Sequence, residues 1–457
     1  MAVVTAVVPP TRRNVELALL VLAIAVASGA YALAGIGTEG TIPPGILANA
    51  GGLSLLALGL HVVLRLRAPY ADPVMLPIAT AINGIGLVMI HRLDAAEDRD
   101  FAESLAVRQL MWTAVGVVAA AVVLFLVRDH RGLARYRYTA MAVGLGMLLV
   151  PLIPFVGREV NGARIWIGLG PFSFQPGEIS KILLALFFAG YLVTARDSLS
   201  LVGRRVLWLQ FPRGRDLGPI LVAWLASLAV LIFERDLGTS LLFFGLFVSL
   251  LYVATERISW IVIGLLLFLA GAVTAWSLFS HVQNRVAIWL QPFDPENAGG
   301  AYQLVQGLYG MANGGLLGTG LGQGRPDIVP FAESDFIVAG IGEELGLTGL
   351  FALLLLYGLL VQRGLRTAIG VRDGFGKLFA AGLAFSMALQ VFVVVGGVTR
   401  VIPLTGLTTP FLAYGGSSLV SNWIIVALLL RISDSARRPG ADMSPPSPAT
   451  IEQAVAS

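Results

Sequence analysis

Two short stretches carry the side chains best suited to chemistry. In QPGEISK (175–181), Glu178 and Lys181 stand at i and i+3, which puts an acid and a base on one helical face within pairing reach. Lys181 is one of only two lysines and sits at the start of an apolar run, where a charge is expensive unless it is paired or used. In WLQPFDPENAGG (289–300), Asp294 and Glu296 have no basic residue inside the stretch. Such a carboxylate can accept a proton from a reacting hydroxyl; an Asp-Pro turn in a solvated loop is the plainer alternative. Arg164, Arg285 and Arg400 add guanidinium forks whose shape suits phosphate oxygens, although each can also snorkel to lipid headgroups. YGGSS (414–418), with Ser417 and Ser418, offers amides and hydroxyls where an apolar run begins, a ready anion site or simply a Gly-rich helix entry.

Other chemistries are excluded. The chain has no Cys, and its four His are far apart without metal-ligand spacing, so a metal would have to sit on oxygen ligands. No S-x-x-K is present, because Glu178 and Gly374 occupy the positions three before the two lysines, so a penicillin-sensitive transpeptidase is ruled out. A P-loop is lacking too, and GTGLG (318–322) follows no strand and is no dinucleotide fingerprint.

These side chains must be positioned by membrane helices. The chain of 457 residues is 56% hydrophobic and only 13% charged, about half the charge of a soluble domain. Twelve apolar runs of roughly spanning length lie near 15–37, 46–64, 72–90, 109–127, 138–156, 179–195, 218–233, 237–254, 258–280, 337–361, 375–396 and 412–430. The expected fold is an all-α polytopic transmembrane helical bundle of 10–12 spans, the first an uncleaved signal anchor. Placing residues 1–14 in the cytoplasm puts 21 of the 31 Lys and Arg on that side, as the positive-inside rule requires. The basic excess is then explained by topology and anionic lipid, with no nucleic acid needed. The membrane domain is expected over 15–431 and a disordered cytoplasmic tail over 432–457. Segments 91–108, 157–178, 281–336 and 397–411 face outward, and the third is long enough to be functional.

Five blocks then bring a family into view: ARIWIGLGPFSFQPGEISK (163–181), ERDLGTSLL (234–242), the loop at 289–307, ESDFIVAGIGEELGLTG (333–349) and PLTGLTTPFLAYGGSSL (403–419). In order and spacing they resemble the shape, elongation, division and sporulation (SEDS) proteins. APYADPVMLPIATAINGIGLVMIHRLD (68–94) and GGVTRVIPLTGLTTP (396–410) are especially similar to its actinobacterial elongation branch. The resemblance implies an inverting peptidoglycan glycosyltransferase of the cytoplasmic membrane that polymerises lipid II on the outer face and works with a class B penicillin-binding protein.

The resemblance also implies roles. Asp294 corresponds to the family's Asp-Pro carboxylate and is the candidate base, with Glu296 as the alternative. Gln175, Pro176, Glu178 and Lys181 match its QPxExxK motif, Tyr302 and Gln303 its GYQ-like segment, and Asp236 and Asp335 two further acidic positions. A divalent cation, Mg²⁺ or Mn²⁺, is expected to neutralise the leaving diphosphate, a task Arg285 or Arg400 can share. Glu343 and Glu344, inside an apolar run, are either functional or helix-to-helix hydrogen bonders. A different class stays open: a lipid II flippase or other transporter, against which stand the one-sided long loop and the lack of a repeat between the halves.

Overall fold

A computed structural model describes residues 11–100, 103–160, 163–169, 172–200, 205, 206, 209, 210, 225 and 236–439. In chain order its helices are α1 (Arg13–Glu39), α2 (Ile46–Arg67), α3 (Met75–Ala96), α4 (Leu105–Leu126), α5 (Arg137–Leu149), α6 (Pro176–Ser200), α7 (Leu237–Thr255), α8 (Ser259–Leu278), α9 (Ser280–Leu290), α10 (Ala298–Gly314), α11 (Ile337–Glu344), α12 (Gly346–Gly370), α13 (Gly374–Val398) and α14 (Gly416–Arg437). Among the described residues ten helices are long and apolar enough to cross a membrane, all but α5, α9, α10 and α11.

Three of the twelve expected runs do not stand as single described spans. The run at 138–156 yields only the 13-residue α5, because a 3₁₀ turn at Val150–Leu152 follows and Pro151 has no N–H to continue the ladder. Of the run at 218–233 only Leu225, in helical conformation, is among the described residues. A third, 337–361, is broken between α11 and α12 at Gly346 (φ 65°), where a Cβ would lie 2.3 Å from the Gly318 amide nitrogen. Only glycine accepts that backbone and that approach, so one apolar run becomes two helices.

The inner layer is α3, α6, α13 and α14, whose apolar stretches are mostly buried, whereas α8 turns nearly all of its surface outward. Outward leucines and valines on α1, α2, α4 and α8 would be a liability in water and match hydrocarbon in a bilayer. Close approach in the core depends on small residues: a Cβ at Gly116 would meet the Trp423 ring at 2.6 Å, and one at Gly86 would meet the Leu412 carbonyl at 2.3 Å.

The segments expected to face outward are more ordered than loops. Residues 157–174 hold a three-stranded antiparallel sheet, β1 (Gly157–Val160), β2 (Ala163–Leu169) and β3 (Phe172–Phe174), with Gly157 opposite Ile167 and Ile167 opposite Phe174. Its alternating Arg-Ile-Trp-Ile and Phe-Ser-Phe runs have the strand period of two. The segment 281–336 contains α9 and α10. At the opposite end of the bundle the start of α1, the 68–74 turn and the end of α14 meet: Asp434 accepts from the Tyr70 amide at 2.8 Å and Arg13 donates to the Ala71 carbonyl. The tail expected from 432 therefore begins later, because α14 continues through buried Ile432, Ser433 and Asp434 to Arg437; residues 440–457 lie outside the described residues.

Candidate functional site

Pro176 opens α6, where its missing N–H costs nothing and its fixed φ suits the first turn. The preceding Gln175 amide donates to the Ser417 hydroxyl at 2.8 Å, which ties the start of α6 to the start of α14. One turn on, the Lys181 Nζ donates to the Glu178 Oε2 at 2.9 Å and to the Gln390 Oε1 of α13 at 2.8 Å. The Ser421 hydroxyl of α14 donates to the same Glu178 oxygen at 2.9 Å. Both charges are buried, so these added bonds offset a desolvation that the pair alone would not repay. The adjoining cavity, between Gly177, Thr239 and Leu407, measures about 10 Å³, room for about one water and none for a sugar. The pair itself is closed to a sugar, and its polar links lead on to other groups.

Those groups lie on the 400–408 segment and the elements packed against it. Gln390 Nε2 donates to the Thr408 carbonyl at 2.9 Å, and Arg285 Nη1 reaches the Leu404 and Thr405 carbonyls at 3.2 and 3.4 Å. Asp236 caps α7, its Oδ1 accepting from the Thr239 amide at 2.9 Å. Burial pushes the Asp236 carboxyl up, while the Thr239 bonds and the Arg285 charge pull it back. Asp335, 3.5 Å from Gln303 Nε2, is pushed up to about 6 by burial, with Gln303 and Arg285 opposing. Burial lowers Arg285 in turn, and the charges of Asp236 and Asp335 raise it. One arginine thus stands in the field of two carboxylates, an arrangement able to hold an oxyanion against a guanidinium while the acids set its polarity.

Asp294 follows α9, and α9 is held at both of its ends. Arg285 binds its first half to 404–405, and at its C-terminus Arg400 Nε and Nη2 donate to the Trp289 and Leu290 carbonyls, each at 2.8 Å. After α9, Asp294 begins a 3₁₀ turn (Pro295–Asn297), with Oδ1 accepting from the Glu296 amide at 2.9 Å. No basic side chain pairs with Asp294 among the described residues, and the residue is partly exposed. Glu296 is fully on the surface side of the turn.

The remaining candidates divide. Tyr302 is exposed, whereas its neighbour Gln303 turns inward and donates to the Pro330 carbonyl at 2.9 Å. Arg164 stands on β2 with its Nε buried and without a hydrogen-bond partner among the described residues. Ser417 and Ser418 do not form the open anion cradle expected of YGGSS: both are buried, Ser417 holds Gln175, and the Ser418 hydroxyl accepts from Asn422 at 3.2 Å. Arg400 is engaged with α9 carbonyls, not turned to an open cleft. No hydrogen bond or ion pair joins Asp294 to Glu178 or Lys181 among the described residues. Glu343 and Glu344 are hydrogen bonders: Glu344 accepts from Arg92 Nε at 2.9 Å and the Gly322 amide at 3.0 Å, and Glu343 from the Arg325 amide at 2.9 Å. They pin residues 315–325 to the bundle.

Gln390, Ser421 and Trp289 escape sequence reasoning. Gln390 and Ser421 do carry a signal, each being a polar residue inside an apolar run, but nothing local says which charge they serve. Among the described residues no group of three or more His, Cys, Asp or Glu is placed to hold a metal ion.

The model of the FtsW/RodA/SpoVE family, described as cell cycle protein, matches residues 73–438. The chain is 51% identical over 436 residues to the peptidoglycan glycosyltransferase RodA of Mycobacterium tuberculosis, covering 94% of this chain and 92% of that protein. It is 34% identical to the stage V sporulation protein E of Bacillus subtilis, covering 80% and 98%. A solved structure of a peptidoglycan synthase complex, described as coordinating polymerization and crosslinking, contains a chain 28% identical to this one, with a TM-score of 0.64 over 80% of this chain and 98% of that one. The rod shape determining protein RodA of Thermus thermophilus is similar at 26% identity and a TM-score of 0.52, covering 79% and 96%.

Proposed function

This chain belongs to the FtsW/RodA/SpoVE family of cell cycle proteins, and from that premise we propose that it is a multi-pass membrane peptidoglycan glycosyltransferase that polymerises lipid II at the outer face of the cytoplasmic membrane. The observation that carries the residue assignments is the path from α9 to the buried pair: Arg285 and Arg400 fasten α9 to 400–405, and Gln390 joins the same segment to Lys181. This path supports Asp294, in the turn after α9, as the group that meets the substrate.

In this reading the acceptor hydroxyl oxygen attacks the anomeric carbon of the donor as its bond to the diphosphate breaks. The hydroxyl proton passes to Asp294, and the configuration inverts without a covalent intermediate. Arg285, between Asp236 and Asp335, meets the negative charge developing on the leaving diphosphate. Glu178 and Lys181 hold α6, α13 and α14 in the register that keeps 400–408 in place. A Mg²⁺ or Mn²⁺ ion enters this scheme only as part of the substrate, carried on diphosphate oxygens, because the described side chains build no cage for it.

The distribution of basic residues supports both chain ends lying in the cytoplasm, and a class B penicillin-binding protein supplies the cross-linking that this chain lacks the Ser-x-x-Lys motif to perform. The test is purified protein with lipid II in detergent, with and without that partner, followed by electrophoresis of the products. Glycan polymer is the expected result; lipid movement across vesicles with no polymer under any condition would make the chain a transporter.

A further inference from the structure

A second cavity lies far from the path just described. It measures about 540 Å³ and is lined by Arg12, Arg363, Arg366 and Arg437, with Tyr70 and Val15 among its walls. Ser417 marks the Asp294 side of α14 and Arg437 closes its other end, so the helix separates the two sites by roughly 30 Å. The cavity is therefore at the opposite membrane surface.

Its charge is unbalanced. Asp72, fully buried beneath it, pairs with Arg437 and lies 3.7 Å from the Arg363 Nη1. Asp72 is also spent on the Val74 amide at 2.9 Å. Arg12 and Arg366 have no ion pair among the described residues, and the Arg363 Nε is buried with no hydrogen-bond partner there. Four guanidinium groups thus line a space large enough for a phosphate headgroup, with the Asp72 and Asp434 carboxylates already engaged behind its wall. The wall is fixed: Tyr70 N–H is held by Asp434 at 2.8 Å and the Asp72 amide by the Ser433 hydroxyl at 2.6 Å. Half of that wall, Thr11 to Ala71, precedes the residues matched by the family model and comes from the start of α1 and the turn after α2.

The surroundings are those of a lipid. α1 and α12 both pack on α3, and each carries an outward apolar face leading away from the cavity: Val15, Leu22 and Val26 on α1, Leu355 and Leu359 on α12. We propose that this cavity binds the phosphate headgroup of an anionic membrane lipid, with the arginines on the phosphate oxygens and the acyl chains along α1 and α12. A basic pocket between spans at one membrane surface is the arrangement that selects such headgroups.

The test uses the full chain in nanodiscs of phosphatidylcholine with or without phosphatidylglycerol, reading retained lipid by native mass spectrometry and affinity by a fluorescent phosphatidylglycerol. Wild type should retain phosphatidylglycerol. Arg12→Gln with Arg366→Gln should bind it about 30-fold more weakly, the loss expected for two cations at a membrane surface. Because neither arginine neutralises an acid, the melting temperature in pure phosphatidylcholine should not move, and Arg366→Gln alone should give a partial loss. Equal retention by the double variant overturns the proposal. Protection of wild type by inorganic phosphate in pure phosphatidylcholine, matching that by phosphatidylglycerol, would make the ligand a soluble oxyanion and overturn the lipid assignment.

Discussion

Trp289 and Arg400 hold each other in both directions: the indole Nε1–H donates to the Arg400 carbonyl at 3.1 Å, and the Arg400 Nε donates to the Trp289 carbonyl at 2.8 Å. Arg400 adopts a left-handed backbone (φ 62°) to do so, uncommon for a residue other than glycine. Its side chain satisfies carbonyls that the end of α9 leaves open, the helix immediately before Asp294.

Arg400→Ala should therefore loosen α9 and the Asp294 turn. Hydrogen exchange over 280–297 is expected to accelerate and polymerisation to fall, with little change in affinity for lipid II. Arg400→Lys should rescue poorly, because one ammonium cannot reproduce a fork across two carbonyls. A large rise in KM with unchanged exchange would instead return Arg400 to the diphosphate.

Asp294→Ala should cost ~10² to 10⁴ in polymerisation rate, the usual worth of a positioned acid-base group, while expression and partner binding persist. Glu296→Ala should be mild, since its side chain is on the solvent side of the turn. Gel-resolved initial rates of both variants decide between them: near-normal polymer from Asp294→Ala removes the assignment, and a reversed order moves it to Glu296.

For Glu178 and Lys181 the decisive variant is the double one. Either single change strands a buried charge, so Glu178→Gln or Lys181→Met should lower the melting temperature sharply. Replacing both with apolar residues of similar size should recover much of that stability while activity stays low, because the links to Gln390 and Ser421 are gone. Recovered activity would reduce the pair to bracing alone.

Asp335 gives a pH dependence. Its folded carboxyl titrates at about 6 against an ordinary value of 3.8, raised mainly by burial. A raised acid favours the fold only while protonated, so stability should decline as pH rises from about 4 to about 6 and level off above that. Asp335→Asn should flatten this part of the curve and melt higher than wild type above pH 6. Melting curves across that window with identical slopes would contradict it.

Chelation addresses the cation. EDTA should suppress polymerisation and excess Mg²⁺ or Mn²⁺ restore it, whereas calorimetry without lipid should detect no tight metal binding by the protein. Tight binding to the lipid-free chain would reveal a cage, and a rate indifferent to chelation would leave Arg285 to assist the leaving group.

How much of this was legible beforehand depends on range. The bundle, its basic face and the Glu178–Lys181 pair rest on composition and on a helical spacing of three residues, so the sequence alone determined them. Asp294 was singled out because a carboxylate without a nearby cation stands out among apolar residues. What the sequence could not specify are the partners that complete each group: Gln390 is 209 residues from Lys181, and Ser421 is 243 from Glu178. Many polar residues in apolar runs are equally eligible at such separations, and packing alone selects among them. The same reason closed YGGSS, whose serines were spent on Gln175 and Asn422, and engaged Arg400 with α9. The break at Gly346 and the sheet at 157–174 were likewise decided in three dimensions, the first by the approach of Gly318 and the second by strand pairing, because an apolar run has the same composition whether it spans, bends or pairs.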